Sequence, residues 1–137
     1  MKTTIALPWM MILGVMTIGV IVSGPVLAAD EPEVNCKDNM ESQTQQVMNI
    51  CAGRAAKEAD RELNRVYRLV RASYKQIPAQ EKRLVTAQLA WIKFRDAECN
   101  ASAGRFDGGS IAPLMYASCV EHLTKQRSQD LEKYLEK

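Results

Sequence analysis

The 137-residue chain predicts an all-α fold, a small antiparallel bundle of three main helices with two disulfides. Three observations carry that prediction. Apolar residues recur at helical spacing in three long stretches. No stretch alternates with the two-residue period of a strand. Proline and glycine fall between the helical stretches and not inside them, apart from Gly53.

The first element is a leader. Lys2 supplies a positive start, an apolar run extends from about Ile5 to Val22, and Gly24-Pro25 breaks it. Val26-Leu27-Ala28 then offers the small residues of a cleavage site, so residues 1–28 are expected to be a cleavable signal peptide. The run is long enough to span a bilayer, and an uncleaved anchor is the alternative. The Gly-Pro break favours cleavage, and with it a periplasmic or secreted protein with no stable membrane insertion. No cysteine ends the apolar run, so no lipid anchor is expected.

Beyond the leader, about 109 residues remain, enough for one small domain. Residues 29–41, with Pro32 and no periodicity, read as an extended arm, and 42–137 as the helical domain. The full chain carries a net charge of +2, which falls to about +1 when Lys2 leaves with the leader. That balance calls for neither nucleic acid nor an anionic membrane as partner.

All four cysteines, Cys36, Cys51, Cys99 and Cys119, lie in the exported part. An even count in a small exported domain reads as two disulfides. With no C-x-x-C and a single histidine, a metal site is not expected. Three pairings are possible. Cys36–Cys51 with Cys99–Cys119 is favoured, because each closes a short loop beside a helix end.

Ser42 or Thr44 is placed to cap the first helix, which runs to about Tyr74. Its apolar stripe is Val47, Ile50, Cys51, Ala55, Ala59, Leu63, Val66, Tyr67, Val70 and Tyr74. The opposite face carries Arg54, Lys57, Arg61, Arg65, Arg68 and Arg71, balanced in part by Glu58 and Glu62, and reads as a solvated face. Pro78 marks a turn, and the second helix is expected from near Ala79 to Cys99. The small residues of Ala101 to Pro113 read as a loop, with Gly108-Gly109-Ser110 as turn and cap. A third helix then begins between Ser110 and Pro113. Its expected stripe is Leu114, Cys119, Leu123, Arg127, Leu131 and Tyr134 or Leu135.

The second helix holds the most informative stretch, Ala87 to Cys99. Leu84, Gln88, Trp91, Arg95 and Cys99 share one face, so Gln88 and Arg95 must be paired or lie at the rim of a site. Folding the first two helices back about Ile77-Pro78 sets Asp60 level with Arg95, Asn64 with Trp91, and Tyr67 with Gln88. Folding the third helix back brings Thr124 and Arg127 to the same height. The expectation is a polar layer of Asp60, Asn64, Gln88, Arg95, Thr124 and Arg127 around Trp91. A register-fixing network is favoured there over a ligand or partner site.

Catalytic chemistry is scarce. His122 has no nucleophilic partner at motif spacing, no phosphate loop follows a strand, and no cofactor is called for. No catalytic residue is assigned, and an enzyme is not expected.

Three runs carry a family likeness: T-Q-x-x-M-N-x-C-A from Thr44 to Ala52, A-D-x-E-L-N-x-x-Y from Ala59 to Tyr67, and A-Q-x-A-W-I-x-F-R-D-A-x-C from Ala87 to Cys99. G-G-S-x-x-P from Gly108 to Pro113, Cys119, and T-x-x-R from Thr124 to Arg127 extend it. The mature chain thus resembles the LprI-type lysozyme inhibitor family. The resemblance implies an exported helical protein whose partner is a protein, with lysozyme the first expectation. The named inhibitor is lipid-anchored, and this chain departs from it there. An envelope module that binds a bacterial partner, such as an effector toxin or a cell-wall component, is the alternative. The expected inhibitory loop, chosen on composition, is Arg105, Phe106, Asp107, Gly108, Gly109 and Ser110, which offers a cation, a ring and flexible glycines.

Overall fold

A computed structural model describes residues 34–37 and 44–136. The expected signal peptide lies outside the described residues, as do Ser42 and most of the expected arm. Three helices succeed one another: α1 (Gln45–Ser73), α2 (Pro78–Gly104) and α3 (Ala112–Glu132). The described residues contain no strand. None of their helices is long and apolar enough to cross a membrane.

Local chemistry sets the helix ends. Thr44 caps α1, its side chain accepting a hydrogen bond from the Val47 amide at 3.4 Å. Pro78 opens α2, where a missing N–H costs nothing. α2 does not stop near Cys99 but continues through Gly104, so Ala101-Ser102-Ala103-Gly104 is helical and not loop. The physical reason is that alanine is the strongest helix former, and small size alone does not break a helix. Ser110 does not cap α3 either. Ile111 stands at that position without a side-chain bond, and the Ser110 carbonyl instead accepts from Asn49 Nδ2 at 2.9 Å.

α3 packs closely along α1 and, less extensively, along α2, while the backbones of α1 and α2 scarcely approach each other. The buried face of α3 is Val120, Thr124, Ser128 and Leu131. It is rotated from the expected stripe, leaving Tyr134 and Leu135 exposed. Small residues such as Thr124 and Ser128, with buried Ala52 and Ala59 on α1, suit close backbone approach better than a leucine ridge would. Ser128 is satisfied by the Thr124 carbonyl at 3.1 Å.

The apolar core is narrow. Leu63, Val66 and Val70 from α1 meet Leu84 from α2 and Leu131 from α3, with Tyr67, Tyr74 and Trp91 partly buried around them. Two disulfides lie outside this cluster, Cys36–Cys51 and Cys99–Cys119, with Cα–Cα distances of 5.5 and 5.4 Å. The first ties residues 34–37 to the start of α1, where Arg54 Nη1 also donates to the Val34 carbonyl at 2.7 Å. The second joins α2 to α3. The arginine-rich face of α1 is solvated and paired as expected: Arg61 with Glu58, and Arg65 with Glu62 at 2.6 Å. Arg71 reaches α2 instead, meeting Glu81 at 2.6 Å.

Candidate functional site

Arg95 is the hub of the polar layer. Its helix face turns it between α1 and α3, and its side chain is 13% exposed. Nη1 donates to Asp60 Oδ1 at 2.8 Å and, more weakly, to Thr124 Oγ1 at 3.4 Å. Nη2 lies 2.9 Å from Asp96 Oδ1. The guanidinium carbon stands 5.3 Å from the centroid of the Trp91 ring. Arg127 approaches the same ring at 6.0 Å, and its Nε donates to Gln88 Oε1 at 3.0 Å. Gln88 and Thr124 are buried, and no buried side-chain nitrogen or oxygen among the described residues lacks a partner. Two cations therefore share one tryptophan ring, and carboxylates bond directly only to Arg95 of the two.

Asn64 and Tyr67, expected at the same height, take other partners. Asn64 is exposed and donates to the Asp60 backbone carbonyl at 2.9 Å, one turn back on its own helix. Tyr67 packs against the apolar core, and the Gln88 carbonyl expected beside it is engaged by Arg127. α1 and α2 meet through side chains and not backbone, as Asp60–Arg95 and Arg71–Glu81 do, while each packs more closely on α3. Asp96 joins the layer without any sequence signal. Adjacent helix positions do not face each other, and only the length of the arginine side chain lets this pair form. Among the described residues no group of three potential ligands is placed to hold a metal.

The α2–α3 connection is an ordered turn. Phe106 N donates to Ala103 O at 2.9 Å, Gly109 N to Phe106 O at 2.9 Å, and Ala112 N to Gly109 O at 3.2 Å. Gly108 has φ +77°, a conformation that a side chain disfavours. A Cβ on Gly109 would meet the Phe106 carbonyl at 3.1 Å. The glycines thus serve a fixed shape and not flexibility. Arg105, Asp107 and Ser110 are exposed, whereas Phe106 is half-buried.

Three of the surface clefts among the described residues bear on these features. One of about 230 Å³ lies beside the Cys36–Cys51 bridge, with Met48, Ala55 and Leu114 in its walls. A second, about 450 Å³, runs between α1 and α3 past Glu58, Glu62, Lys125 and Glu132. There the hydrogen bond from Arg65 holds the Glu62 carboxyl below its ordinary range, and the reciprocal bond raises Arg65. The third, about 140 Å³, lies where α2 begins and α3 ends, between Tyr74, Gln80, Arg83, Leu84, Ala87, Arg127 and Tyr134.

A family model described as "Lysozyme inhibitor LprI" matches residues 36–131, nearly all of the described helical domain. The chain belongs to the LprI family. The match begins at the first cysteine of the first disulfide and ends at core residue Leu131, so it takes in the bridges, the polar layer and the connecting turn. A protein of Rhizobium meliloti (strain 1021), described as uncharacterized, is 33% identical, with 79% of this chain and 84% of that protein covered. No solved structure matches the chain. LprI membership and the two disulfides fit an extracytoplasmic location.

Proposed function

We propose that this LprI protein is an exported, non-catalytic inhibitor of a lysozyme, and that it engages the enzyme through residues 105–110. The observation that carries this reading is the pinned α2–α3 turn. Asn49 holds it from α1, the Cys99–Cys119 bridge braces its two helices, and Arg105 is left exposed at its edge. A preformed loop loses little entropy on docking. Lysozyme clefts work through a pair of carboxyl groups, and an exposed guanidinium is suited to pair with them. Phe106 is the internal anchor of the turn in this reading, and Asp107, Gly108, Gly109 and Ser110 give it shape. The polar layer of Asp60, Gln88, Trp91, Arg95, Thr124 and Arg127 fixes helix register in this reading. The small net charge makes long-range steering weak, so short-range fit decides the target.

Inhibition assays with the oxidised protein against several lysozymes test this directly. Loss of muramidase activity at micromolar protein supports it; unchanged activity against every lysozyme class rejects it. One observation favours the second reading, an envelope module. Leu89 and Phe94 on the outer side of α2 are 58% and 54% exposed, surface that a protein partner would cover. That reading predicts capture of a self-encoded envelope protein, lost on Phe94→Ser and indifferent to Arg105→Glu.

A further inference from the structure

The third cleft lies about 30 Å along α2 from the connecting turn, at a rise of 1.5 Å per residue. Its wall contains two guanidiniums, Arg83 and Arg127, and no carboxylate. Neither arginine forms an ion pair among the described residues. Arg83 Nη1 has only a long 3.3 Å bond to Gln80 Oε1. Arg127 Nε is bound to Gln88 and its plane is steadied by Trp91, which leaves the two Nη groups without a protein acceptor among the described residues. Asp130, the acid that feels the charge of Arg127, is itself bound to Lys133 Nζ at 2.8 Å. The remaining wall is aromatic and aliphatic, from Tyr74, Tyr134, Leu84 and Ala87.

A guanidinium whose Nε is committed still presents its Nη pair, and that end-on fork matches the two oxygens of a planar carboxylate. Aromatic walls around such a fork suit a ring or short apolar body. We propose that this cleft is a binding site for a small carboxylate carried on a ring or apolar chain. Arg127 receives the carboxylate, Arg83 adds charge at the rim, and Tyr74 and Tyr134 flank the body. The site is independent of the turn at residues 105–110 and of lysozyme inhibition.

Benzoate is the probe, with benzamide as its neutral counterpart and phenyl phosphate as the competing oxyanion, read by NMR of the arginine Nε–H signals. Benzoate should shift the Arg127 and Arg83 signals saturably, with a Kd on the order of 1 mM, and benzamide should not. Arg83→Gln should weaken benzoate by roughly fivefold with thermal stability unchanged. Arg127→Lys, which keeps the charge but loses the fork, should abolish saturation while the folded spectrum persists. The proposal is overturned by an equal response to benzamide, by shifts spread over Arg61 and Arg68 as well, or by no saturation at about 50 mM. Binding of phenyl phosphate more than about tenfold tighter than benzoate would overturn the carboxylate assignment.

Discussion

Arg95 on α2 bonds Asp60 on α1 at 2.8 Å, although the backbones of these helices scarcely approach each other. The contact is made by side-chain reach from one helix to the other, and the two partners differ in environment: Arg95 is 13% exposed and Asp60 44%. Arg95→Ala should therefore be the costlier change, about 2–3 kcal/mol, since it also strips Trp91 and Thr124 of a neighbour. Asp60→Ala should cost about 1 kcal/mol, because Asp96 still compensates the guanidinium. Urea unfolding of both single variants and the double variant should give a coupling of about 0.5–1 kcal/mol. Strict additivity would mean that the pair does not tie α1 to α2.

The bridges should differ in their response to reductant. Cys99 is fully buried and Cys36 is exposed, so graded reduction should open Cys36–Cys51 first. Removing Cys99–Cys119 by double alanine substitution should cost about 3 kcal/mol in the chain-entropy model. Alkylation and peptide mapping at each reductant level read the order, and simultaneous opening would contradict it.

Shape and charge in the connecting turn are separable. Gly108→Ala should lower stability by about 1 kcal/mol, because its φ of +77° disfavours a side chain. Arg105→Glu should leave the melting temperature unchanged yet weaken lysozyme inhibition at least tenfold, an order-of-magnitude expectation for reversing an interface charge. Equal inhibition by both variants and the parent would remove the turn from the interface.

Acid should weaken the surface pairs. The Glu62 carboxyl lies below its ordinary 4.5 through the Arg65 hydrogen bond, and Asp130 below 3.8 through Lys133. A carboxyl depressed in the folded state makes the unfolded chain bind more protons. The stabilisation is therefore complete above the ordinary values and is lost as pH falls through the lowered ones. Both groups are exposed, so the effect is small and screened by salt. A Glu62→Gln, Asp130→Asn variant should show a flatter fall in urea midpoint between about pH 5 and pH 3 at low salt. An unchanged slope would place the acid sensitivity elsewhere.

Much of this architecture is legible in the sequence because helix periodicity and cysteine spacing are local signals. The three helices, both pairings and the inward face of α2 from Leu84 to Cys99 follow from them. Height along a hairpin is legible too, as Asp60 and Arg95 show. Rotation about the helix axes is not. Nothing in a linear pattern says that Asn64 turns outward or that Gln88 finds Arg127 on α3. α2 adds to the ambiguity, for it carries Leu89, Ile92 and Phe94 on sides that remain exposed. The Ala101–Gly104 extension defies the loop reading because small residues signal loops only when glycine or proline dominates them.

The narrow core and its flanking bridges make folding conditional on chemistry as well as sequence. Two cross-links worth about 3 kcal/mol each are comparable with the whole stability margin of a small domain, about 5–15 kcal/mol. Before its thiols are oxidised, such a polypeptide lacks that share of its margin. Once Cys36 joins Cys51 and Cys99 joins Cys119, the same chain is closed at one end of the bundle, the end that carries the α2–α3 turn. Oxidation acts as a latch on the end of the bundle that holds the turn in place.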